Sequence, residues 1–418
     1  MDGALQHLFG LCDALLSVSG EYASIALARE ALESYQGLDE RNRGQFFDVL
    51  AHDYSPAPEA VTQSAITYQA DPSPQNLAQL QAAVEPLRRE LFRRLNMAPG
   101  GTAALVEMRK ELLKGLRANP QRRVIDSDLL HLFGEWFNRG FLRLERIDWR
   151  TPAIVLEKLS EYEAVHAMQG WRDLRRRLDA DRRCFGFFHP QLPDEPIIFI
   201  EVALTRSMSA HIQPLLDVGS PVTPANCDCA MFYSITNCQE GLRGISFGNL
   251  LIKQVAEELR REFPHLRRFA TLSPIPGFRR WLDQKRDERP KELAPLARLA
   301  QPDWHLGEIS DALQRMVLCL CAYYLVFARQ GDEPLDPVAR FHLGNGAALE
   351  RLNWMGDISE AGMARSAGLM VNYVYWLNEV ERNHERYFRE HVITASPAVE
   401  KMARECVLAT PAEKGAAA

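Results

Sequence analysis

Cys229-Ala-Met-Phe-Tyr-Ser-Ile-Thr236 leads through Gly241-Leu-Arg-Gly-Ile-Ser-Phe-Gly248 into the segment Asn249–Phe263 and then Arg268–Leu272. The first of these is β-branched and aromatic and reads as a strand. The second is glycine-rich turn chemistry. The third carries apolar residues at helical spacing (Leu250, Leu251, Val255, Ala256, Leu259) and is stopped by Pro264. The fourth reads as the next strand, ended by Ser273-Pro-Ile-Pro-Gly-Phe278. Strand, glycine-rich turn, helix and strand in succession make an α/β unit. Such a turn lets backbone N–H groups approach a phosphate, and the helix start adds unpaired donors and a partial positive charge. Arg243, Gly244, Ser246, Gly248 and Asn249 are therefore candidate phosphate-binding residues, although a tight strand-to-helix connection alone would use the same glycines. No Gly-Lys-Ser/Thr follows, so the turn is not a Walker A loop, and its glycine spacing is not that of a dinucleotide fingerprint.

Outward from this unit the texture changes near residue 139. Beyond it, β-branched and aromatic runs such as Pro196–Leu204 alternate with helical patterns, and after about Leu306 the chain returns mostly to helix, with a Gly-rich interruption at His342–Gly346. Before it, apolar residues recur at three and four in segments such as Leu80–Leu95 and Leu105–Leu116, separated by Pro56, Pro58, Pro72, Pro74 and Met97–Thr102. The expectation is an α+β protein: an all-α helical oligomerisation domain at residues 1–138 and a catalytic domain at residues 139–418 with additional C-terminal helices. A homo-oligomer, such as a tetramer, follows from a helical third that carries no site chemistry and needs its apolar stripes covered.

The 418 residues are 46% hydrophobic and 25% charged, which excludes general disorder, and the net charge of −6 excludes a whole-chain electrostatic fit to nucleic acid. The apolar run Met316–Ala328 is shorter than the roughly 18–20 residues that span a bilayer and reads as a buried helix, with no membrane partner expected. Neither a basic secretory n-region nor a terminal Ser-Lys-Leu is seen, and eight cysteines do not make a disulfide framework. A cytoplasmic enzyme with reduced thiols is expected. Cys227-Asp-Cys229 with Cys238 lacks the second pair that a zinc site needs, so no metal is assigned.

Two residues stand out chemically. Ser273 lies between a strand end and the prolines 274 and 276, which hold its hydroxyl on a rigid turn, though turns use serine without any chemistry. His342 sits beside Gly344, Asn345 and Gly346, where an imidazole is well presented for proton exchange, yet most lone histidines are not catalytic, and His166 and His189 compete with it on local evidence. Tyr373 and Tyr375, two residues apart, face the same way in a strand and different ways in a helix. The arginine-rich stretch Trp171–Arg183, interleaved with Asp173, Asp179 and Asp181, reads as a solvated helix face, with contact to a ligand phosphate the lesser alternative.

Taken in order, several segments resemble the malonyl-CoA decarboxylase family. They are Gly140-Phe-Leu-x-Leu-Glu-Arg-Ile, Tyr162-Glu-Ala-Val-His166, Glu195-Pro-Ile-Ile, Val202-Ala-Leu-Thr205, Phe232-Tyr-Ser-Ile235 and Glu262-Phe-Pro-His-Leu266. The series continues with Leu272-Ser-Pro-Ile-Pro-Gly-Phe278, Phe341-His-Leu-x-Asn-Gly-Ala347, Leu352-Asn-Trp-Met355 and Leu369-Met-Val-Asn-Tyr-x-Tyr375. The glycine-rich turn likewise resembles the pyrophosphate loop of acetyl-CoA-dependent N-acetyltransferases. The resemblance implies a helical association domain joined to an acetyltransferase-like (GNAT-like) domain that binds CoA. It implies conversion of malonyl-CoA to acetyl-CoA and CO2 with no cofactor beyond the CoA of the substrate, and places the catalytic serine and histidine on Ser273 and His342. A further active-site serine and tyrosine fall on Ser234 and Tyr375. Some members carry Glu where this chain has Ser246, so no acidic role is carried over there. The rival readings are a CoA-dependent N-acetyltransferase, which needs an amine, and a non-catalytic acyl-CoA sensor.

Overall fold

The computed structural model describes residues 2–163, 165–168, 170–217, 221–245, 251–301, 303–411 and 413. The chain divides into two compact units, one of Met1–Arg143 with Phe187–Ile197 and Asn237–Phe247, the other of Leu144–Gly186, Ile198–Thr236 and Gly248–Ala418.

The first unit is built on helices Gly3–Ser17, Glu21–Gln36, Glu40–His52, Pro58–Ala70, Pro74–Val84, Leu87–Leu95, Gly101–Gly115 and Arg123–Trp136. The segment Leu80–Leu95, expected as one helix, is broken in two. Pro86 has no N–H to donate and disfavours helical backbone in the residue before it, and Glu85 is extended at φ −77°, ψ 123°. Leu5, Leu8, Phe46, Leu91, Phe92, Leu129 and Leu132 are buried. Among them Arg88 pairs with Asp128 at 2.5 Å, both side chains buried. Helices Pro58–Ala70 and Pro74–Val84 differ from the rest, because no residue of either is buried. The start of the glycine-rich turn is fixed in this unit: a Cβ on Gly241 would lie 2.0 Å from the Val106 carbonyl oxygen, and Arg109 donates to the Gly241 carbonyl at 2.7 Å.

Ten strands are described: β1 (Arg143–Ile147), β2 (Arg182–His189), β3 (Leu192–Thr205), β4 (Cys229–Asn237), β5 (Arg268–Thr271), β6 (Ser273–Pro274), β7 (Arg329–Gln330), β8 (Glu333–Pro334), β9 (Ala348–Asn353) and β10 (Met370–Val374). The main sheet runs β1-β2-β3-β4-β5-β10-β6 with β9 beside β10, and β7 pairs only with β8. Strands β4 and β5 are parallel, and helix Leu251–Glu262 lies between them in sequence, as the α/β reading expected. Strand β10 is antiparallel to β5, β6 and β9. Helix Asp311–Val326 holds most of the long apolar run, with Val317, Leu320, Cys321, Ala322 and Leu325 buried. No helix among the described residues is long and apolar enough to cross a membrane.

Side-chain alternation sorts the sheet into two faces. Cys229, Met231 and Tyr233 of β4, Ala270 and Leu272, and Met370 and Val374 of β10 pack into one core with Ile212 and Leu215. The registers Phe232↔Thr271 and Val371↔Ser273 therefore place Phe232, Ser234, Thr271, Ser273, Tyr373 and Tyr375 on the opposite face. The serine and tyrosine candidates thus share a side.

His342 reaches this face from helix Pro337–Gly344, not from a glycine-rich turn as the sequence suggested. Pro337 opens the helix, and the Asp336 carboxyl accepts the N–H groups of Val338 and Ala339 at 3.0 and 2.9 Å. The interruption begins only at Asn345. At Gly346 φ is +79°, and a Cβ there would lie 2.1 Å from the Val380 carbonyl oxygen, so the chain leaving this helix can pass Val380 only as glycine.

The arginine-rich stretch also departs from expectation. Arg176, Arg177, Arg182 and Arg183 are buried, because carboxylates converge on them: Asp181 meets Arg176 at 2.6 Å, Glu262 meets Arg183 at 2.6 Å, and Glu201 pairs with Arg177.

Candidate active site

Ser273 pairs through β6 with Val371 of β10, which holds its Cα while its hydroxyl stands on the face opposite the main core. That hydroxyl donates to Thr271 Oγ1 at 2.8 Å and lies 2.9 Å from His342 Nε2. The other imidazole nitrogen, Nδ1, lies 2.8 Å from the Tyr375 hydroxyl. With the Ser273 proton directed at Thr271, Nε2–H donates to Ser273 and Nδ1 accepts from Tyr375. The four groups form one directed row: Tyr375, His342, Ser273, Thr271. Thr271 Oγ1 also accepts the Tyr373 backbone N–H at 3.1 Å, which ties the end of the row to the sheet.

The row is dry. His342 is 3% exposed and Tyr375 1%. Burial pushes the imidazole down to about 3, so it is neutral across the physiological range, and burial raises the Tyr375 and Tyr373 phenols well above their usual value. The Tyr373 ring stacks on the imidazole with centroids 4.6 Å apart, and the Tyr375 ring approaches edge-on at 6.2 Å. The two phenols lie on or next to β10 and face the same way. One holds the ring plane while the other binds its nitrogen.

Ser234 is 2% exposed on the same face, and its hydroxyl donates to Glu163 Oε2 at 2.7 Å, with Thr236 Oγ1 at 3.3 Å. Of the candidate phosphate residues, Arg243 and Gly244 follow the short 3-10 turn Glu240–Leu242, Gly244 with φ +85°. Ser246, Gly248 and Asn249 lie outside the described residues. All eight cysteines are buried and outside any disulfide, Cys227, Cys229 and Cys238 among them. Among the described residues, no three His, Cys, Asp or Glu side chains are grouped to hold a metal ion.

Sequence reading missed Thr271, Tyr373 as a stacking partner, and Glu163. Thr271 and Tyr373 stand two residues before Ser273 and Tyr375, so strand alternation could have found them once those anchors were known. Glu163 ends helix Ala153–Tyr162 and carries no local signal that it meets Ser234, 71 positions away.

Fold and site together define a class: an α+β protein with a neutral hydrogen-bonded row of tyrosine, histidine, serine and threonine set into its sheet. The sequence matches the family model of the malonyl-CoA decarboxylase C-terminal domain over residues 140–413 and that of the N-terminal domain over residues 54–137. It is 37% identical over 411 residues to malonyl-CoA decarboxylase, mitochondrial, of Anser anser anser, covering 88% of this chain and 82% of that protein. To the Rattus norvegicus protein of the same name it is 38% identical over 352 residues, covering 77% and 72%. The crystal structure of malonyl-CoA decarboxylase from Rhodopseudomonas palustris superposes with a TM-score of 0.92 at 49% identity, covering 95% of this chain and 99% of that one. The Agrobacterium vitis structure gives 0.90 at 47%, with the same coverage. The chain belongs to the malonyl-CoA decarboxylase family, and is thus a carboxy-lyase.

The neutral imidazole has a measurable consequence. An unfolded chain protonates His342 below about 6.5, whereas the folded protein resists this down to about 3. The stability that this group contributes is complete above pH 6.5 and is lost as pH falls toward 3. Between pH 7 and pH 5 the loss from this residue should be about 2 kcal/mol. Urea unfolding at the two pH values is expected to show that much less acid sensitivity in His342→Asn than in the wild type. An equal pH dependence in both proteins would show that the imidazole is not held neutral.

Proposed function

We propose that this chain decarboxylates malonyl-CoA to acetyl-CoA and CO2, the reaction named for its relatives, at the Ser273–His342 pair. The observation that carries the reading is the buried row with its 2.9 Å contact between Ser273 and His342. In malonyl-CoA the thioester carbonyl is β to the carboxylate, so it accepts the electron pair released as CO2 leaves. No pyridoxal, thiamine or biotin is required, and no cofactor is proposed. The C2–carboxyl bond breaks, its pair becomes a thioester enolate, and C2 then takes one proton. Donors aimed at the enolate oxygen lower the barrier by about 3–4 kcal/mol each.

Ser273 and His342 hold the malonyl carboxylate and manage the proton, with Ser234 and Tyr375 orienting the group. The polarity of the row suits this task. As Ser273 gives its proton to C2, Nε2–H of His342 replaces it and Nδ1 takes the Tyr375 proton, so the imidazole stays neutral and the negative charge that entered with the malonyl carboxylate rests on the Tyr375 oxygen. One proton from solvent then resets the row. Among the described residues, no lysine or arginine hydrogen-bonds to Thr271, Ser273, His342 or Tyr375. A guanidinium on the carboxylate would favour the ground state over a transition state whose charge has moved toward the thioester, and its absence from the row favours decarboxylation.

Purified protein given malonyl-CoA alone is expected to release CO2 and acetyl-CoA, undiminished by EDTA. Ser273→Ala and His342→Asn should each reduce kcat by about 10²–10⁴, with the double variant little worse than the poorer single, as for groups serving one transition state. Release of CoA only after an amine is added would replace this reading with acyl transfer. Multiplicative losses in the double variant would separate the roles of the two residues.

The CoA phosphates are assigned to the turn of Arg243, Gly244, Ser246, Gly248 and Asn249, on the support of a glycine-rich segment between strand β4 and a helix. Gly248→Asp puts a negative charge where backbone would meet pyrophosphate. CoA affinity, read by calorimetry, should fall at least about tenfold. Unchanged affinity in the folded variant would remove the assignment.

Residues 1–138 are proposed as the oligomerisation domain of a cytoplasmic homo-oligomer, such as a tetramer. Support comes from helices Pro58–Ala70 and Pro74–Val84, which bury no side chain within the chain and leave Ile66 and Leu77 exposed. Light scattering should give a multiple of 47.4 kDa, reduced by Ile66→Glu with Leu77→Glu. A 47.4 kDa monomer at micromolar concentration would overturn the proposal, and fractionation of cells tests the compartment.

A further inference from the structure

We infer that Glu163 is a positioning residue for Ser234, fixing that hydroxyl as a hydrogen-bond acceptor toward the substrate. The inference rests on the reading above that Ser234 lines the malonyl-CoA site.

The Glu163 side chain is fully buried and both of its oxygens are filled. Oε1 accepts the backbone N–H groups of Val165 and His166 at 2.7 and 2.8 Å, which pins the carboxyl to the turn that follows its helix. Oε2 accepts the Ser234 hydroxyl at 2.7 Å. Arg177 stands 3.6 Å from the same oxygen and is itself held from three sides. It pairs with Glu201, donates to the His166 carbonyl, and lies over the Tyr233 ring at 6.0 Å. Two backbone N–H groups on Oε1 fix the orientation of the carboxyl and leave Oε2 facing Ser234.

The consequence falls on the serine. A serine has one proton to donate, and here it is directed at Glu163. What Ser234 offers to anything bound on its face of the sheet is oxygen lone pairs. It is thus suited to accept from an N–H or O–H donor, such as a pantetheine amide or a protonated substrate group, and unsuited to donate to the enolate oxygen. Ser273 differs, because its partners Thr271 and His342 can exchange donor and acceptor roles.

Glu163→Gln tests this with nearly unchanged shape. The Val165 and His166 N–H groups require the amide oxygen, so the amide NH2 turns to Ser234 and donates to it. The serine must then direct its proton elsewhere. kcat/KM for malonyl-CoA should fall by about 10–10², the scale of a misplaced active-site group, with the melting temperature little changed. In a Ser234→Ala background the same substitution should change kcat/KM by less than about twofold, since there is no hydroxyl left to reorient. A merely structural role for Glu163 would give equal losses in both backgrounds, and that result, or full activity in Glu163→Gln, overturns the inference. Should Glu163→Gln not fold, Glu163→Asp retains the acid and withdraws it from Ser234 by one methylene, with the same two backgrounds compared. A wild-type protein inactive on malonyl-CoA overturns the functional reading itself, whereas an active wild type with equal losses overturns only the role of Glu163.

Discussion

The contact between Ser273 Oγ and His342 Nε2, 2.9 Å long, joins residues 69 positions apart, and most of the second unit can be understood as what makes it form. One hydrogen bond contributes about 0.5–1.5 kcal/mol net, far less than the cost of ordering the intervening chain. The bond is therefore an outcome of packing and not its cause. Ser273 is delivered by pairing with Val371, and His342 by a helix whose start is capped by Asp336 and whose exit passes Val380 through Gly346. Tyr373 then fixes the ring plane by stacking, and the Thr271 hydroxyl fixes the serine. The restraints come from strands β5 and β10, the capped helix and the segment at Val380, so the geometry is over-determined and a neutral imidazole can remain in a dry site.

That dryness shapes the chemistry. Burial makes protonation of His342 costly, so the imidazole stays neutral and no cation forms in the row. A decarboxylation begins with a localised carboxylate and passes through a state in which that charge spreads toward the thioester oxygen. A neutral, weakly polar setting disfavours the localised charge more than the spread one. A cation at the same place would act in the opposite direction.

The sequence made the architecture legible wherever a pattern is local. Strands β3 and β4 are readable as continuous β-branched and aromatic runs because both of their faces are buried, and the helix Leu251–Glu262 is readable from apolar spacing because one stripe is buried. The arginines of Trp171–Arg183 were misread because composition shows a run of charge and not its partners. Asp181 lies within the stretch, but Glu201 and Glu262 come from two other segments, and only the fold brings them in. His342 was misplaced on a turn because Gly344 and Gly346 look like breakers, whereas the cap at Asp336 carries the helix through Gly344. No spacing rule couples Ser273 to His342. Their pairing was accessible only through resemblance, since it depends on sheet register and on a helix whose direction the sequence does not state.

Strand alternation then explains why two serines on one face are not interchangeable. Ser234 and Ser273 are brought to the same side by the parallel register of β4 with β5 and the antiparallel register of β10 with β6. Ser273 meets an imidazole and a hydroxyl, each able to donate or accept, so its proton can move in either sense along the row. Ser234 meets a carboxyl whose other oxygen is occupied by two backbone N–H groups, so its proton is directed at the carboxyl, with Thr236 Oγ1 the longer neighbour at 3.3 Å. In the proposed reaction the sheet presents the substrate with one hydroxyl placed to surrender a proton and one whose proton is engaged by Glu163. A reaction that must deliver a single proton to a single carbon requires that distinction, because a second mobile donor beside the enolate could protonate the thioester oxygen in place of C2.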